Sequence, residues 1–142
     1  MIDDKLNVIT PFGPSIAKVK IPEKILKILN DHVDKVVNDQ KLQKEFDAGK
    51  SLVGNVTQEI FLDNKIIKES GWLSFLANAT QTWIKYITKQ EIKKFNVNNS
   101  WIVRQFSNQY NPVHWHKGHI SGAGFLKVPS TFGETFQKDK KN

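Results

Sequence analysis

The sequence predicts a mixed α+β fold, on three observations. Residues 7–21 are rich in Val and Ile and contain a Phe12-Gly13-Pro14 turn signal, which favours two extended segments. Two later stretches carry apolar residues at spacings of three and four, which is typical of amphipathic helices. Residues Trp101 to Phe106 form a short run of aromatic and β-branched residues, which favours a strand.

The first helix is expected to begin at Pro22, because the fixed φ of proline suits the first helical position. We expect it to run to about Ala48-Gly49. Its apolar face comprises Ile25, Leu26, Leu29, Val33, Val36 and Val37. His32 borders this face and has no ligand partner at helical spacing, so the sequence favours a boundary or surface histidine there.

The second helix follows a connector, residues 51–62, that has a Gly54-Asn55 turn signal and a strand-like end. Ser70 is the expected N-cap. Four aromatic residues recur along this helix: Trp72, Phe75, Trp83 and Tyr86. Such a stripe can serve as a stacking platform, but packing against a sheet is the more economical interpretation because each ring has a large apolar area to cover.

Length and composition predict one domain, residues 1–142, with a core of its own. The chain has no cysteine, which excludes disulfides, thiolate nucleophiles and cysteine-type zinc sites. No apolar run approaches the roughly 18 residues of a membrane span, and the acidic start of the chain does not resemble an export signal. We therefore expect a cytoplasmic protein with no membrane partner.

The net charge of +7 raises the question of nucleic-acid binding. Only one of the 21 basic residues is arginine, however, and the lysines are spread along the whole chain. Bidentate recognition of bases and phosphates favours the planar guanidinium group. The composition therefore does not favour nucleic acid as a partner, and residues 137–142 are expected to be a solvated basic tail.

The densest group of candidate ligands lies in the segment NPVHWHKGHISGAGFLKV, residues 111–128. His114 and His116 are two positions apart, so on an extended strand both imidazoles project from one face while Trp115 points the other way. Imidazole is the commonest protein ligand for transition metals. The spacing is consistent with a metal-binding pair and also with two ordinary half-buried strand residues.

The runs Ser100-Trp101-Ile102-Val103-Arg104-Gln105-Phe106, Tyr110-Asn111-Pro112, His114-Trp115-His116 and Phe125-Leu126-Lys127-Val128-Pro129 carry a family resemblance. Together they resemble the Fe(II)- and 2-oxoglutarate-dependent oxygenases of phages and marine bacteria, over the front part of that family's catalytic domain. The resemblance implies helices packed on the opening strands of a double-stranded β-helix, or jelly roll. It assigns residues 1–99 to a helical layer with short strands and residues 100–136 to the first barrel strands.

The same resemblance implies that His114 and His116 bind Fe(II), and that the chain hydroxylates a substrate with O₂ and 2-oxoglutarate. Arg104 and Phe125 are the candidate contacts for the co-substrate. Phe125 stands where related proteins often carry a tyrosine, and its ring cannot supply the tyrosine hydrogen bond. Arg104 precedes the pair, and the alternative for it is a strand arginine paired with a carboxylate.

The family's late histidine and late arginine have no counterpart, since only 26 residues follow His116, too few for the remaining strands of a jelly roll. His119 and Glu134 are the available candidates for a third ligand, although no spacing argument requires either. Three expectations follow. A missing C-terminal half or a second chain completes the barrel, or the chain is an inactive remnant of the fold that acts in binding or assembly through its open strand edges.

Overall fold

The computed structural model describes residues 6–130, which form a mixed α+β fold with four α-helices and two antiparallel two-stranded sheets. The predicted class is therefore confirmed. No closed barrel is present among these residues, so the predicted opening of a jelly roll is not confirmed. Across the same range, no helix has the length and apolar character needed to cross a membrane. Residues 131–142, which include Glu134 and the predicted basic tail, lie outside the described part.

The first sheet is a hairpin of β1 (Leu6–Ile9) and β2 (Ile16–Val19), paired with Leu6 opposite Val19 and Ile9 opposite Ile16. Between the strands, Gly13 has a φ of 98°, a backbone conformation that glycine adopts without steric cost. The turn signal at Phe12-Gly13-Pro14 therefore correctly located the hairpin.

Helix α1 (Glu23–Val37) begins one residue later than predicted, with Pro22 as the capping residue whose carbonyl accepts the first helical hydrogen bonds. The helix also ends well before the predicted Ala48-Gly49. The helical run is interrupted at Asn38, and a separate helix, α2 (Gln40–Glu45), follows it. The Asp39 side chain caps α2 by accepting hydrogen bonds from the backbone N–H groups of residues 41 and 42.

Strand β3 (Gln58–Phe61) leads into a short helix, α3 (Asn64–Glu69), that the periodicity did not predict. Helix α4 (Trp72–Thr88) follows after Gly71, whose φ of 80° lets the chain turn sharply between the two helices. The predicted N-cap is wrong by one residue: Gly71 is the cap residue of α4 and Ser70 ends α3, although the Ser70 hydroxyl accepts a hydrogen bond from the backbone N–H of Trp72.

The aromatic residues of α4 serve mainly as packing residues. Trp72 and Phe75 are stacked on each other and pack against the core cluster that contains Ile25 and Leu29. Trp83 donates its indole N–H to the Ser15 hydroxyl beside the hairpin. Tyr86, at the far end, is 61% exposed, so the core interpretation holds for the first turns of the helix and not for its last.

The second sheet pairs β3 with β4 (Trp101–Arg104) in antiparallel register. Residues directly opposite each other share a face of a sheet, and successive residues alternate between faces. Ile60 and Ile102 therefore lie on one face, where both pack against buried residues of α1. The opposite face carries Glu59 and Phe61 from β3 together with Val103 and Trp101 from β4.

Residues 105–130 do not form the predicted barrel strands, which is a correction to the sequence analysis. Apart from a single bridge between Tyr110 and Asn55, the segment is irregular, and the strand expected at His114 and His116 is absent. Pro112, Gly118, Gly122 and Gly124 explain the difference, because proline cannot donate to a ladder and glycine weakens extended pairing. At its far end the Leu126 side chain packs on the core cluster of Ile25 and Leu29.

Candidate metal centre

His114 and His116 are brought together although no strand holds them. Their Nε2 atoms are 3.0 Å apart, and their ring centroids are 4.6 Å apart at an interplanar angle of 76°. Both side chains are exposed, and Trp115 between them is 77% exposed. The proximity expected from strand alternation is therefore produced by an irregular backbone, with the two Nε2 atoms facing each other.

A backbone contact sets the tautomer of His114. Its Nδ1 atom lies 2.7 Å from the carbonyl oxygen of Pro112, and a carbonyl can only accept, so Nδ1 carries the proton. In neutral His114 the Nε2 atom then carries a lone pair that is available to a ligand. Ligand histidines in metal sites almost always donate their second ring N–H in this way, which orients the ring and raises its basicity.

The separation of the two Nε2 atoms is compatible with one shared cation. Two nitrogen ligands about 2.1 Å from one ion are about 3.0 Å apart when they subtend 90° and about 3.4 Å apart at the tetrahedral angle. The observed 3.0 Å is therefore within the range expected for two nitrogen atoms that bind one ion. Without a cation the same distance suits a hydrogen bond from His116 Nε2–H to His114 Nε2.

The sheet supports the pair from one side. The His116 ring lies 5.7 Å, centroid to centroid, from the Trp101 indole of β4, at an angle of 40°. Trp101 is itself half-buried on the face that it shares with Glu59 and Phe61. The pair therefore stands on the face of the β3–β4 sheet that α1 does not cover, and it is open to solvent on its other sides.

A third ligand is not gathered at the pair. Within residues 6–130, no three His, Cys, Asp or Glu side chains are close enough together to hold a metal ion. His119 is exposed and follows Gly118, whose φ of 110° turns the chain away after His116. Glu134, the other candidate, lies outside the described residues.

Arg104 and Phe125 are not placed as a co-substrate pocket. Arg104 donates a hydrogen bond of 2.7 Å from Nη1 to Oε1 of Gln58, and its guanidinium lies 5.5 Å from the centre of the Phe106 ring. Alternation along β4 directs it to the face opposite Trp101, away from the histidines. Phe125 is 79% exposed in the irregular segment.

The structure adds one residue that sequence reasoning missed, the carboxylate of Glu59. It is 4% exposed on the Trp101 face of the sheet, and neither carboxylate oxygen has a hydrogen-bond partner. The sequence gives only a weak signal for it: a single acidic residue in the strand QEIF that follows glycines at positions 49 and 54. That pattern is also common in half-exposed strands, where a Glu simply faces water.

Comparison with known proteins adds no family assignment, since no protein-family model, curated protein sequence or solved structure matches the chain.

Proposed function

We propose that this chain is a metal-binding protein in which His114 and His116 are two adjacent ligands of a non-haem Fe(II) centre of the kind used by 2-oxoglutarate-dependent oxygenases. The observation that carries the proposal is the pair of Nε2 atoms 3.0 Å apart, with the His114 ring oriented by the Pro112 carbonyl. When bound, the iron would supply O₂ activation for hydroxylation of a C–H bond.

The residues of the chain contribute binding and orientation. Pro112 holds the proton on Nδ1 of His114, which leaves Nε2 available to a cation. The Trp101 indole lies beside one side of the His116 ring, where it can help to orient that imidazole. The remaining ligand and the group that holds 2-oxoglutarate come from outside residues 6–130, either from elsewhere in the protein or from a second chain. Arg104 is not assigned that role, because its guanidinium is engaged on the other face of the sheet.

Metal titration of matched variants tests the histidine assignment. Fe(II), added anaerobically, is expected to bind the parent chain, and His114→Ala and His116→Ala should each lower the affinity by about tenfold or more. His119→Ala is the matched control, since it removes an exposed imidazole from the same segment without touching the pair. Equal affinity in all three variants would remove the proposed site.

Two further readouts test the metal site and the reaction class. Cobalt(II) added to the parent chain should give visible absorption bands that the His114→Ala and His116→Ala variants lack; equal spectra in parent and variants would contradict the assignment. Addition of 2-oxoglutarate to the Fe(II) form should produce a visible charge-transfer band that neither component gives alone. Iron binding without that band would leave a metal-binding protein and would contradict a co-substrate site completed within this chain.

The second candidate function is assembly, with the same fold acting as a non-catalytic binding protein. It is favoured by a group of exposed large apolar side chains between β4 and the end of the described residues: Phe106, Tyr110, Val113, Trp115, Ile120, Phe125 and Val128. Exposed apolar side chains concentrated in one segment are candidates for a protein interaction surface. Sedimentation velocity over a hundredfold range of concentration tests self-association, and a monomer throughout would count against pairing with a second copy.

A further inference from the structure

The Glu59 carboxylate is enclosed without a counter-charge. The residue is 4% exposed, and both Oε1 and Oε2 are inaccessible to solvent and without a hydrogen-bond partner. The ion pairs among residues 6–130 involve other carboxylates, those of Glu23, Asp31 and Glu91. An ionised carboxylate in such surroundings loses its hydration and gains no hydrogen bond or counter-charge to replace it. It therefore requires either a proton or a cation.

Side-chain oxygen atoms of Asp47 and Asn111 lie near the Glu59 carboxylate, together with a methyl group of Val56. A Cβ built on Gly54 would lie 3.1 Å from Glu59 Oε1 and would clash with Asn111 Oδ1. Glu59 Oε1 and Asn111 Oδ1 therefore both lie next to Gly54. A Cβ on Gly49 would lie 3.2 Å from Asp47 Oδ1 and 3.6 Å from Glu59 Oε2. The two glycines therefore allow the backbone to approach a small cluster of side-chain oxygens closely.

Backbone hydrogen bonds hold this cluster together from three parts of the chain. The N–H of Ala48 donates to the Glu59 carbonyl at 2.8 Å, which places Asp47 beside β3. The N–H of Asn55 donates to the Tyr110 carbonyl at 2.9 Å, which brings Asn111 against Gly54. Ala48 is completely buried, so this edge of β3 is firmly covered.

We propose that Glu59, Asp47 and Asn111 form a binding site for a hard divalent cation, with Ca²⁺ as the best fit. Carboxylate and amide oxygens are the ligands that calcium and magnesium prefer, and calcium tolerates irregular geometry and backbone carbonyls as additional ligands. The absence of nitrogen and sulfur ligands separates this site from the histidine pair, which suits softer transition metals.

The electrostatics of Glu59 agree with this assignment. Burial raises the pKa of the Glu59 carboxyl, and the nearby negative charge of Asp47 raises it further. A cation between the two acids would reverse both effects. It would also connect Asn111, three residues before His114, to the loop around Gly54, and so fix the base of the histidine segment.

Calcium titration of the full chain tests the site, with binding measured by isothermal calorimetry at pH 7 and the melting temperature measured in parallel. The titration is repeated in a His114→Ala, His116→Ala background, so that any ion held by the histidines is not counted. Ca²⁺ should raise the melting temperature progressively with concentration, as expected for a ligand that binds only the folded state. Glu59→Gln and Asn111→Ala should each weaken binding by about tenfold or more.

Glu91→Gln is the matched control, because it removes one exposed carboxylate paired with Lys85 and should leave the calcium response unchanged. The proposal is overturned if the parent chain does not respond to millimolar Ca²⁺, which would mean that Glu59 is simply protonated or accepts a hydrogen bond from a reoriented Asn111 amide. It is equally overturned if Glu59→Gln and Asn111→Ala respond as the parent does. None of these results bears on iron binding, so the two proposals fail separately.

Discussion

The charge on Glu59 should make the folded state less stable as the pH rises, and Glu59→Gln should remove that loss. Burial, aided by Asp47, raises the pKa of Glu59 in the folded chain above its ordinary 4.5. Below pH 4.5 the carboxyl is protonated in both states, so its titration does not change the stability there. As the pH rises through the folded-state pKa, the unfolded chain has already lost the proton, so the stability contributed by this group is lost across that window.

The magnitude follows from the surroundings of the side chain. A buried polar group without a partner costs about 1–3 kcal/mol, and more when charged. Protonation limits the free-energy cost of burying the charge, since the carboxyl takes up a proton when that cost becomes too large. Each unit by which the folded-state pKa is raised corresponds to about 1.36 kcal/mol of stability. The stability difference between Glu59→Gln and the parent should therefore grow between pH 4 and pH 8, by about 1.36 kcal/mol for each unit by which the folded-state pKa is raised. At about 4 °C per kcal/mol for a chain of this size, each such unit corresponds to a relative shift of roughly 5 °C in melting temperature.

Urea unfolding followed by tryptophan fluorescence in the presence of EDTA measures this difference, and the chelator keeps divalent cations out of the comparison. Taking variant minus parent at each pH cancels the titration of all other groups. Asp47→Asn should shrink the difference, because it removes the second cause of the raised pKa. A variant-minus-parent difference that stays constant from pH 4 to pH 8 would refute the reasoning.

Two further predictions concern α1. Leu29→Ala, at a residue that is 1% exposed in the main core cluster, should destabilise the fold by about 2–5 kcal/mol in urea unfolding, whereas Phe12→Ala, at 92% exposure, should stay within about 0.5 kcal/mol. Desolvation lowers the pKa of His32 below 6.5, against the opposing charge of Asp63 and with a smaller contribution from Lys35, so stability should fall as the pH drops from 6.5 through the folded-state pKa. His32→Gln should abolish that fall, and an unchanged acid limb of the stability profile would contradict it.

Sequence periodicity located the elements that depend on neighbours along the chain. The hairpin turn at Gly13 follows from the conformational preference of glycine. The apolar face of α1 follows from the three- and four-residue spacing of its apolar residues, which places them on one side of a helix. The end of α1 was placed too late because the apolar pattern continues past Val37, while the Asp39 side chain starts a new helix there. Capping overrode periodicity at that point.

The proximity of the two histidines was predicted, but by an incorrect route. His114 and His116 do face each other, but in an irregular segment, because Pro112 and the following glycines do not support a strand ladder. Arg104 was considered as a co-substrate contact because it is the single arginine of the sequence. The pairing of β3 with β4 instead places it opposite Gln58, to which it donates a hydrogen bond. Identity and spacing named the metal-ligand candidates, and register decided which face each side chain occupied.

The sequence by itself determined the α+β class, the buried stripe of α1 and the presence of a histidine pair, since each depends on residues within a few positions of one another. Only the tertiary structure decided that Glu59 is buried and that Asp47 and Asn111 meet it. Those contacts join segments far apart in the chain through the bridges Asp47–Ile60 and Asn55–Tyr110. Burial of a charge is a property of the assembled surroundings, and no local pattern around Glu59 encodes it.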